Sequence, residues 1–312
     1  MQAVVVDPSA PGRLVLRPVE APAPGPAEAL VQVAAVSLNP GELRRAMDAQ
    51  AGWRPGWDLA GTIEQAAADG SGPPVGTRVV GIVDSGAWGE LVAVRTDALA
   101  ELPATVSFAQ AATLPVAGLT ALRALERSGA LLSRAVLITG ASGGVGHFAC
   151  QLARQSGARV VGVVRRPDRE AVVHEAGAHH VVVSDDVQAA GGFGPYHLIL
   201  ESIGSRALGA ALTLLAPGGV CVSFGASAGT EVTFDARRFY LVGGASLYGF
   251  ILFYELARTP AAEDLSQLAG MVAEGRLRPQ IDVEASWTDV AAVAAQLLDR
   301  RVIGKAVLQV SG

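Results

Sequence analysis

The chain has 312 residues, 50% of them hydrophobic and 17% charged, so it can bury a large core, and its length favours two domains over one. A formal net charge of −5 provides no basic field for nucleic acid or for an anionic membrane surface, which argues against both kinds of partner. The N-terminus lacks the basic start and apolar core of a signal peptide, and no apolar run reaches the ~18 residues of a membrane span. We therefore expect a cytoplasmic protein.

The N-terminal part of the chain consists of short β-type runs separated by Pro, Gly and Ser, which is typical of a small β domain. Strands are predicted at Gln2 to Val6, at Leu14 to Pro18, at Ala29 to Val36, within residues 54–61 and 75–81, and from residue 86 to about Val94. A turn at Asn39-Pro40 leads into a short helix. From Ser107 to Ser128 the apolar residues recur at helical spacing, interrupted by Pro115, and we place the domain boundary in this region.

The stretch from Ala135 to Arg166 predicts a strand, turn, helix, strand unit. Ala135 to Thr139 is a short run of branched apolar residues, as in a buried parallel strand, and the glycine-rich turn Gly140–Gly146 follows it. A helix from His147 to Gln155 and a second strand from Val160 to Val164 complete the unit. A turn without side chains lets backbone N–H groups and the positive helix N-terminus approach a pyrophosphate. The unit therefore predicts a dinucleotide-binding site.

The rest of the chain continues with alternating helices and strands, which indicates an α/β class, and we find no internal repeat. Helices are predicted at Asp168 to Ala176, Arg206 to Leu215, Leu265 to Glu274 and Asp289 to Asp299. Strands are predicted at Val181 to Val183, His197 to Glu201, Val220 to Phe224, Leu247 to Tyr254 and Ala306 to Val310.

The residues that follow the second strand indicate which dinucleotide binds. A site for the form without a 2′-phosphate usually carries Asp or Glu there, about 20 residues beyond the glycines, to bind the ribose hydroxyls. This chain has Arg165 and Arg166 instead, with Arg169 one turn further on. Because a guanidinium fork matches a phosphate dianion, we predict NADP(H) as the cofactor.

Two dehydrogenase families carry glycine runs like this one. The pattern Thr139-Gly140-x-x-x-Gly144-x-Gly146 fits the short-chain dehydrogenases by letter, but that family starts with the motif near its N-terminus and needs a Tyr-x-x-x-Lys pair. The single lysine, Lys305, has Arg301 four residues before it, so the short-chain interpretation fails.

The whole chain resembles the medium-chain dehydrogenase/reductase superfamily, and within it the zinc-independent quinone oxidoreductase and enoyl reductase branch. The motifs that carry the resemblance are Asn39-Pro40, Pro55-Gly56-x-Asp58-x-Ala60-Gly61, Leu119-Thr120-Ala121, Ala141-x-Gly143-Gly144-Val145-Gly146 and Gly304-Lys305-Ala306-Val307. The resemblance implies a GroES-like β domain, residues 1–117 with 257–312, interrupted by a Rossmann domain with a doubly wound parallel sheet, residues 118–256.

Zinc-containing members of this superfamily present a Cys, a His-Glu pair and a distant Cys to a catalytic metal. Here Asn39 stands at the first position and Trp57-Asp58 replaces His-Glu, and the four-cysteine structural lobe is missing. The two cysteines, Cys150 and Cys221, fit no such spacing and are expected to be buried. We therefore predict no metal site, and a substrate that delocalises the incoming charge itself, such as a quinone or an α,β-unsaturated ketone or thioester.

The resemblance also assigns site residues. It places Asn39 at the nicotinamide edge or the substrate, and Thr120 at the nicotinamide ribose and phosphate. The pyrophosphate turn comprises Ser142, Gly143, Gly144, Val145 and Gly146, and the remaining cofactor contacts are assigned to Ser184, Ser202, Gly204, Gly225, Ala226, Phe250 and Leu252. The candidate catalytic residues are Asn39, Lys305, which resembles a family lysine near the C-terminus, and Tyr240, a candidate proton donor.

Several alternatives stay open at this stage. Some relatives carry a tyrosine a few residues after the Asn39 turn, whereas this chain has Arg44, Arg45 and Met47, so the proton donor is not identified and water is an alternative. The chain could instead be a carbonyl reductase, a biosynthetic cyclase or reductase on the same scaffold, or a non-catalytic NADPH-binding sensor. By resemblance, Leu247 to Tyr254 is also the predicted edge through which two Rossmann sheets pair in a homodimer.

Overall fold

The computed structural model describes residues 1–310, and its strands and helices have the following bounds. The strands are β1 Gln2–Val6, β2 Leu14–Pro18, β3 Glu28–Leu38, β4 Asp58–Gln65, β5 Arg78–Ile82, β6 Leu91–Arg95, β7 Leu99–Glu101, β8 Ala135–Thr139, β9 Arg159–Val164, β10 His180–Val183, β11 Tyr196–Glu201, β12 Leu215–Ser223, β13 Ser246–Gly249, β14 Ile281–Ser286 and β15 Lys305–Gln309. The α-helices are α1 Pro40–Asp48, α2 Phe108–Ala112, α3 Leu119–Glu126, α4 Gly144–Gln155, α5 Glu170–Glu175, α6 Ser205–Leu212, α7 Ala236–Leu241, α8 Leu252–Leu256, α9 Ala262–Ala273 and α10 Val290–Leu298.

The chain divides into two units. The first unit is Met1–Leu119 together with the chain from Leu256 onward, and the second unit is Thr120–Glu255. Each has its own hydrophobic core. None of the helices in residues 1–310 is long and apolar enough to cross a membrane.

The first unit is organised around β3, the longest strand of its seven-stranded sheet. The strand order is β14-β15-β3-β4-β5-β7, with β6 also paired to β3, and a separate two-stranded sheet joins β1 and β2. The last strand, β15, runs antiparallel to β3, so that Ala306 lies opposite Leu38. This pairing brings the C-terminal part of the chain beside the turn at Asn39, where α1 begins.

The second unit is a six-stranded parallel sheet with the order β10-β9-β8-β11-β12-β13. The order reverses between β8 and β11, and in sheets of this kind ligands bind at the carboxyl ends of the strands near such a reversal. The predicted architecture, a β domain plus a doubly wound parallel sheet, is therefore confirmed.

Some predicted elements need correction. The predicted strand from Leu247 to Tyr254 is wrong beyond Gly249, because a helix, α8, starts at Leu252. The reason lies in the spacing of buried residues: Leu252 and Glu255 are buried while Ile251 and Tyr254 are exposed, a period of three that fits a helix and not a strand. The sequence analysis also missed β14 and α7.

Candidate functional site

The glycine-rich turn of the second unit connects β8 to α4. Gly140 has a φ of +60°, and its carbonyl oxygen accepts the N–H of Gly143 at 2.9 Å. Gly143 precedes the first residue of α4 in an extended conformation. A Cβ on Gly146 would lie 2.4 Å from the carbonyl oxygen of Gly140, so only glycine fits there. The turn and the N-terminal N–H groups of α4 together form a cradle of backbone that suits a pyrophosphate.

The two predicted phosphate-binding arginines differ in their surroundings. Arg166 is held by Asp168 through two hydrogen bonds, Nε to Oδ1 at 2.9 Å and Nη2 to Oδ2 at 2.6 Å. Arg165 is exposed and makes no polar side-chain contact within residues 1–310. Both follow β9 directly, at the same edge of the sheet as the glycine-rich turn. Arg165 is therefore available for a ligand, whereas Arg166 would have to share its guanidinium with Asp168.

The parallel order of the second unit brings most of the other predicted cofactor residues to this edge. These residues lie where β10, β11, β12 and β13 end, and they are Ser184, Ser202, Gly204, Gly225, Ala226 and Phe250. Phe250 and Leu252 are buried, as is Thr120 near the start of α3. Each of these cofactor contacts stays a prediction.

Glu201, which the sequence analysis did not single out, organises the loop at the sheet reversal. It is the last residue of β11 and fully buried. Its Oε1 accepts the N–H of Ile203 at 2.7 Å, and its Oε2 accepts the N–H of Gly204 at 3.0 Å. The hydroxyl of Thr139 approaches Oε1 at 3.3 Å and accepts the N–H of Ser202 at 2.9 Å. Glu201 thereby ties the end of β8 to the loop 202–204, and burial raises its pKa.

A buried polar cluster lies in the first unit at the start of α1. The amide of Asn39 donates from Nδ2 to Asp58 Oδ2 at 2.8 Å and to Glu42 Oε1 at 3.1 Å, and its Oδ1 accepts from Lys305 Nζ at 2.5 Å. The backbone N–H of Asn39 also donates to Glu42 Oε1, at 2.6 Å. Asn39 is 6% exposed and Lys305 is 3% exposed. The antiparallel pairing of β15 with β3 is what places the lysine there.

Lys305 uses its ammonium within the cluster. Besides Asn39, Nζ donates to the carbonyl oxygen of Leu38 at 3.1 Å and lies 3.4 Å from Asp58 Oδ2. Three acceptors around one nitrogen correspond to the three donors of an ammonium group. Burial lowers the pKa of Lys305, and the carboxylates of Asp58 and Glu42 act in the opposite direction.

The two carboxyl groups of the cluster differ. Asp58 has both oxygens bonded, because Oδ2 also accepts the hydroxyl of Ser37 at 2.8 Å and Oδ1 accepts the N–H of Val116 at 2.9 Å. Glu42 uses Oε1 alone, and its Oε2 is buried with no hydrogen-bond partner in the part of the chain that the structure describes. Burial and the nearby Asp58 raise the pKa of Glu42 well above its usual range. One ammonium thus faces one buried carboxyl group with both oxygens hydrogen-bonded and one that favours its neutral form.

These residues do not suit a zinc ion. The position that zinc-containing relatives give to a Cys ligand holds the amide of Asn39, and the neighbouring cation is the Lys305 ammonium, which would repel a metal. Cys150 and Cys221 are buried in the second unit, where burial raises the pKa of the Cys150 thiol to about 12. Within residues 1–310, no three His, Cys, Asp or Glu side chains converge as metal ligands would.

The three candidate catalytic residues are divided between the two units. Asn39 and Lys305 bond to each other in the first unit, whereas Tyr240 lies on α7 of the second unit and is 66% exposed. In the first unit, Arg45 stacks over the Trp53 ring at 5.1 Å, and Arg44 is exposed. Sequence reasoning missed Glu42 and Glu201; a glutamate three residues after the helix-capping Asn39 was the available signal for the first.

Two protein-family models and several known proteins match the sequence of this chain. Residues 25–104 match the family described as the alcohol dehydrogenase GroES-like domain, and residues 144–270 match the family described as zinc-binding dehydrogenase. Rat quinone oxidoreductase is 30% identical over 279 residues, which cover 85% of this chain and 80% of the rat protein. The spectinabilin polyketide synthase system protein NorB of Streptomyces orinoci is 33% identical over 305 residues, 95% of this chain but 14% of that protein.

Solved structures are similar over the full chain. A mycobacterial protein in complex with NADPH has a TM-score of 0.88 and 25% identity, covering 99% of this chain and 100% of that one. The quinone oxidoreductase of Coxiella burnetii has a TM-score of 0.85 and 26% identity, covering 100% and 99%.

Proposed function

The chain belongs to the medium-chain dehydrogenase/reductase superfamily, and from that premise we propose that it is an NADPH-dependent reductase of quinones or of activated, α,β-unsaturated double bonds that works without zinc. The observation that carries the proposal is the shared edge of the parallel sheet, where the cradle at Gly140–Gly146 and the unpaired guanidinium of Arg165 lie at neighbouring strand ends. A similar protein is solved with NADPH, and quinone oxidoreductases are among the relatives.

The cofactor fits the residues of the second unit. The backbone around Gly143 and Gly146 accommodates the pyrophosphate, and Arg165, with Arg166, binds the 2′-phosphate. Glu201 holds the loop 202–204 that borders the ribose. NADPH, when bound, supplies the hydride.

The buried cluster of the first unit fixes the residues around Asn39. Three hydrogen bonds fix the orientation of the Asn39 amide, and the ammonium of Lys305 beside it donates to Asn39, Leu38 and Asp58. Hydride transfer places negative charge on the acceptor oxygen. A quinone or an enone spreads that charge over its own conjugated system, so the reduction needs no metal as Lewis acid.

The test is NADPH oxidation in the presence of a chelator, on a panel of neutral quinones, enones and simple ketones. Turnover of quinones or enones and not of simple ketones supports the proposal. Turnover confined to ketones would establish a carbonyl reductase instead, and tight binding of NADPH without turnover of any acceptor would indicate a sensor.

A second candidate is reduction of an enoyl thioester in a biosynthetic pathway. The observation that favours it is the 33% identity to a segment of a polyketide synthase system protein across 95% of this chain. Adding a crotonyl thioester to the panel separates the two: a kcat/KM well above that of every quinone would favour the thioester.

We also propose that the protein forms a homodimer through β13. This strand pairs on one side with β12 and has a free edge within residues 1–310. Large apolar side chains lie exposed on and beside it, namely Leu247, Ile251 and Tyr254. An unpaired strand edge flanked by exposed apolar groups is a surface that a second copy can cover.

A further inference from the structure

The opposite edge of the parallel sheet in the second unit is strongly basic. We define this basic edge by the six residues Arg134, Arg154, Arg159, His179, His180 and His197. The strands β8, β9, β10 and β11 are neighbours in the sheet and begin here, with Arg134 just before β8, Arg159 and His180 opening their strands, and His197 second in β11. In a chain with a net charge of −5, six basic groups gathered at one edge are unexpected.

No carboxylate balances these groups. None of the six forms an ion pair with Asp or Glu within residues 1–310, whereas arginines elsewhere, such as Arg95 with Asp97, do. The pKa of His179 is lowered first by burial and then by Arg154, His180 and Arg159. The pKa of His197 is lowered by burial, then by Arg134 and Arg159. The charged groups that act on both histidines are thus cationic.

Hydrogen-bond donors converge at His179 without an acceptor. Its Nδ1 accepts the backbone N–H of Val160 at 3.0 Å, so the proton of the neutral ring lies on Nε2. That nitrogen contacts Nη1 of Arg154, which is also a donor. An anionic oxygen that accepts from both donors would separate the two nitrogens and replace their unfavourable contact with two hydrogen bonds.

Further donors lie beside this pair. Arg159 donates from Nη2 to the carbonyl oxygen of Phe193 at 3.0 Å, and its other guanidinium N–H groups have no acceptor within residues 1–310. Nδ1 of His197 is buried and has no partner in the described residues. His180 stacks on the Phe193 ring, with 4.5 Å between centroids, so its ring is held in place at the same edge.

We propose that the basic edge is a binding site for a phosphate group, held mainly by Arg154, Arg159 and His179. A phosphate offers several acceptor oxygens and two negative charges, which matches several convergent donors with no counter-charge, whereas a single chloride satisfies few of them. The site is separate from the cofactor edge, because strands of four to six residues rising about 3.3 Å per residue put roughly 13 to 20 Å between their two ends. The proposal does not depend on the protein being a reductase.

The test is a titration of the intact protein with inorganic phosphate, at an ionic strength that is held constant with chloride. The NMR signals of the histidine ring protons report binding. We expect the His179 and His180 signals to shift saturably with phosphate and not with chloride. The double substitution Arg154→Gln/Arg159→Gln should weaken this binding at least tenfold, and the control Arg237→Gln/Arg238→Gln, an exposed arginine pair on α7, should leave it unchanged.

Phosphate can also bind at the cofactor edge, so the titration is repeated with Arg165→Ala, which should not alter the histidine response. The single variant Arg154→Gln serves if the double variant fails to fold, with NADPH affinity as the check that the second unit is intact. Histidine shifts that follow chloride as closely as phosphate, or a folded Arg154 variant that binds phosphate as tightly as the unmodified protein, would overturn the proposal.

Discussion

At the scale of single residues, the buried cluster around Lys305 shows how the chain places a fixed positive charge beside Asn39. Taking an ammonium out of water is costly unless oxygen acceptors and an opposite charge surround it. Asn39, Leu38 and Asp58 provide those acceptors. Two carboxyl groups facing one ammonium would leave a surplus negative charge, so the neutral form of Glu42 balances the cluster.

This balance predicts how stability depends on Glu42. The folded-state pKa of Glu42 is raised above its unfolded value of about 4.3 to 4.5. Between the unfolded and the folded pKa of Glu42, the folded protein therefore binds more protons than the unfolded chain. The contribution of Glu42 to stability is present below the unfolded pKa and is lost as pH rises through the folded pKa. Glu42→Gln, which resembles the neutral acid, should change the free energy of unfolding by less than about 1 kcal/mol near pH 5 and should abolish this part of the pH dependence.

The matched comparison is Lys305→Met, which leaves Asp58 buried without its cation and should destabilise the first unit by about 3 to 5 kcal/mol. Urea unfolding of each variant at pH 5 and pH 8 measures both effects. Equal destabilisation by the two substitutions at pH 5 would show that Glu42 is ionised, contrary to this account of the cluster.

At the scale of elements, two glycines of the turn between β8 and α4 have different roles: packing requires Gly146, whereas Gly143 is proposed to bind the ligand. A Cβ on Gly146 would meet the carbonyl oxygen of Gly140 at 2.4 Å, whereas a Cβ on Gly143 would lie at 3.3 Å and its φ is an ordinary −83°. We predict that Gly146→Ala destabilises the second unit by about 1 to 3 kcal/mol and weakens NADPH binding. Gly143→Ala should keep nearly full stability and still lower NADPH affinity, because it adds a methyl group to the backbone cradle that we propose for the pyrophosphate. Thermal unfolding and fluorescence titration measure the two quantities, and an unimpaired Gly146→Ala protein would contradict the structure of the turn.

The loop after β11 depends on one carboxylate. In Glu201→Gln, a side-chain NH₂ group replaces one acceptor oxygen that faces the N–H groups of Ile203 and Gly204, and a charge-assisted bond of this kind is worth about 1.5 to 3 kcal/mol. We predict weaker NADPH binding in this variant.

The pH dependence distinguishes a positioning role from general destabilisation. The raised pKa of Glu201 means that its carboxylate is lost by protonation at a higher pH than for an exposed glutamate, so NADPH affinity of the unmodified protein should fall on acidification. The NADPH affinity of the Glu201→Gln variant should not show the part of this fall that comes from protonation of Glu201. Identical pH profiles for the two proteins would rule out the role assigned to Glu201. The 2′-phosphate, which titrates near pH 6, affects both profiles equally.

Local patterns predicted most elements of the two units. The run from Ala135 to Val164 has strand, turn and helix signals that agree with one another, and it is a strand, turn, helix and strand in the structure. The strand predicted at Leu247 to Tyr254 is correct at β13 but misses α8, because four residues of strand followed closely by a five-residue helix give too few positions for a period to emerge. The missed strand β14 alternates only weakly between half-buried and exposed positions.

The candidate site was harder to predict from sequence. The glycine-rich turn and Arg165 are read from contiguous residues, so they could be recognised. The contact between Lys305 and Asn39 joins residues far apart in the chain through the pairing of β15 with β3, and no local pattern encodes it. Glu201 looked like an ordinary strand residue, because its role depends on the neighbouring strand that carries Thr139.

At the scale of the whole molecule, the proposed dimer follows from the edge position of β13 in the parallel sheet. We predict that the unmodified protein sediments as a dimer and that Ile251→Glu, which places a charge in the exposed apolar surface beside β13, shifts it to monomer. Val75→Glu is the control, because Val75 is equally exposed but belongs to the first unit. A monomeric unmodified protein would contradict the assignment of this edge.

The central claim, that the carboxyl edge of the parallel sheet binds NADPH through a site for its 2′-phosphate, is tested most directly by parallel titrations with NADPH and NADH, in which intrinsic tryptophan fluorescence reports binding. We predict that NADPH binds at least tenfold more tightly, a difference of about 1.4 kcal/mol. Arg165→Ala/Arg166→Ala should erase the difference, and Arg237→Ala/Arg238→Ala should preserve it. Equal affinity for the two cofactors, or no binding of either, would contradict the claim.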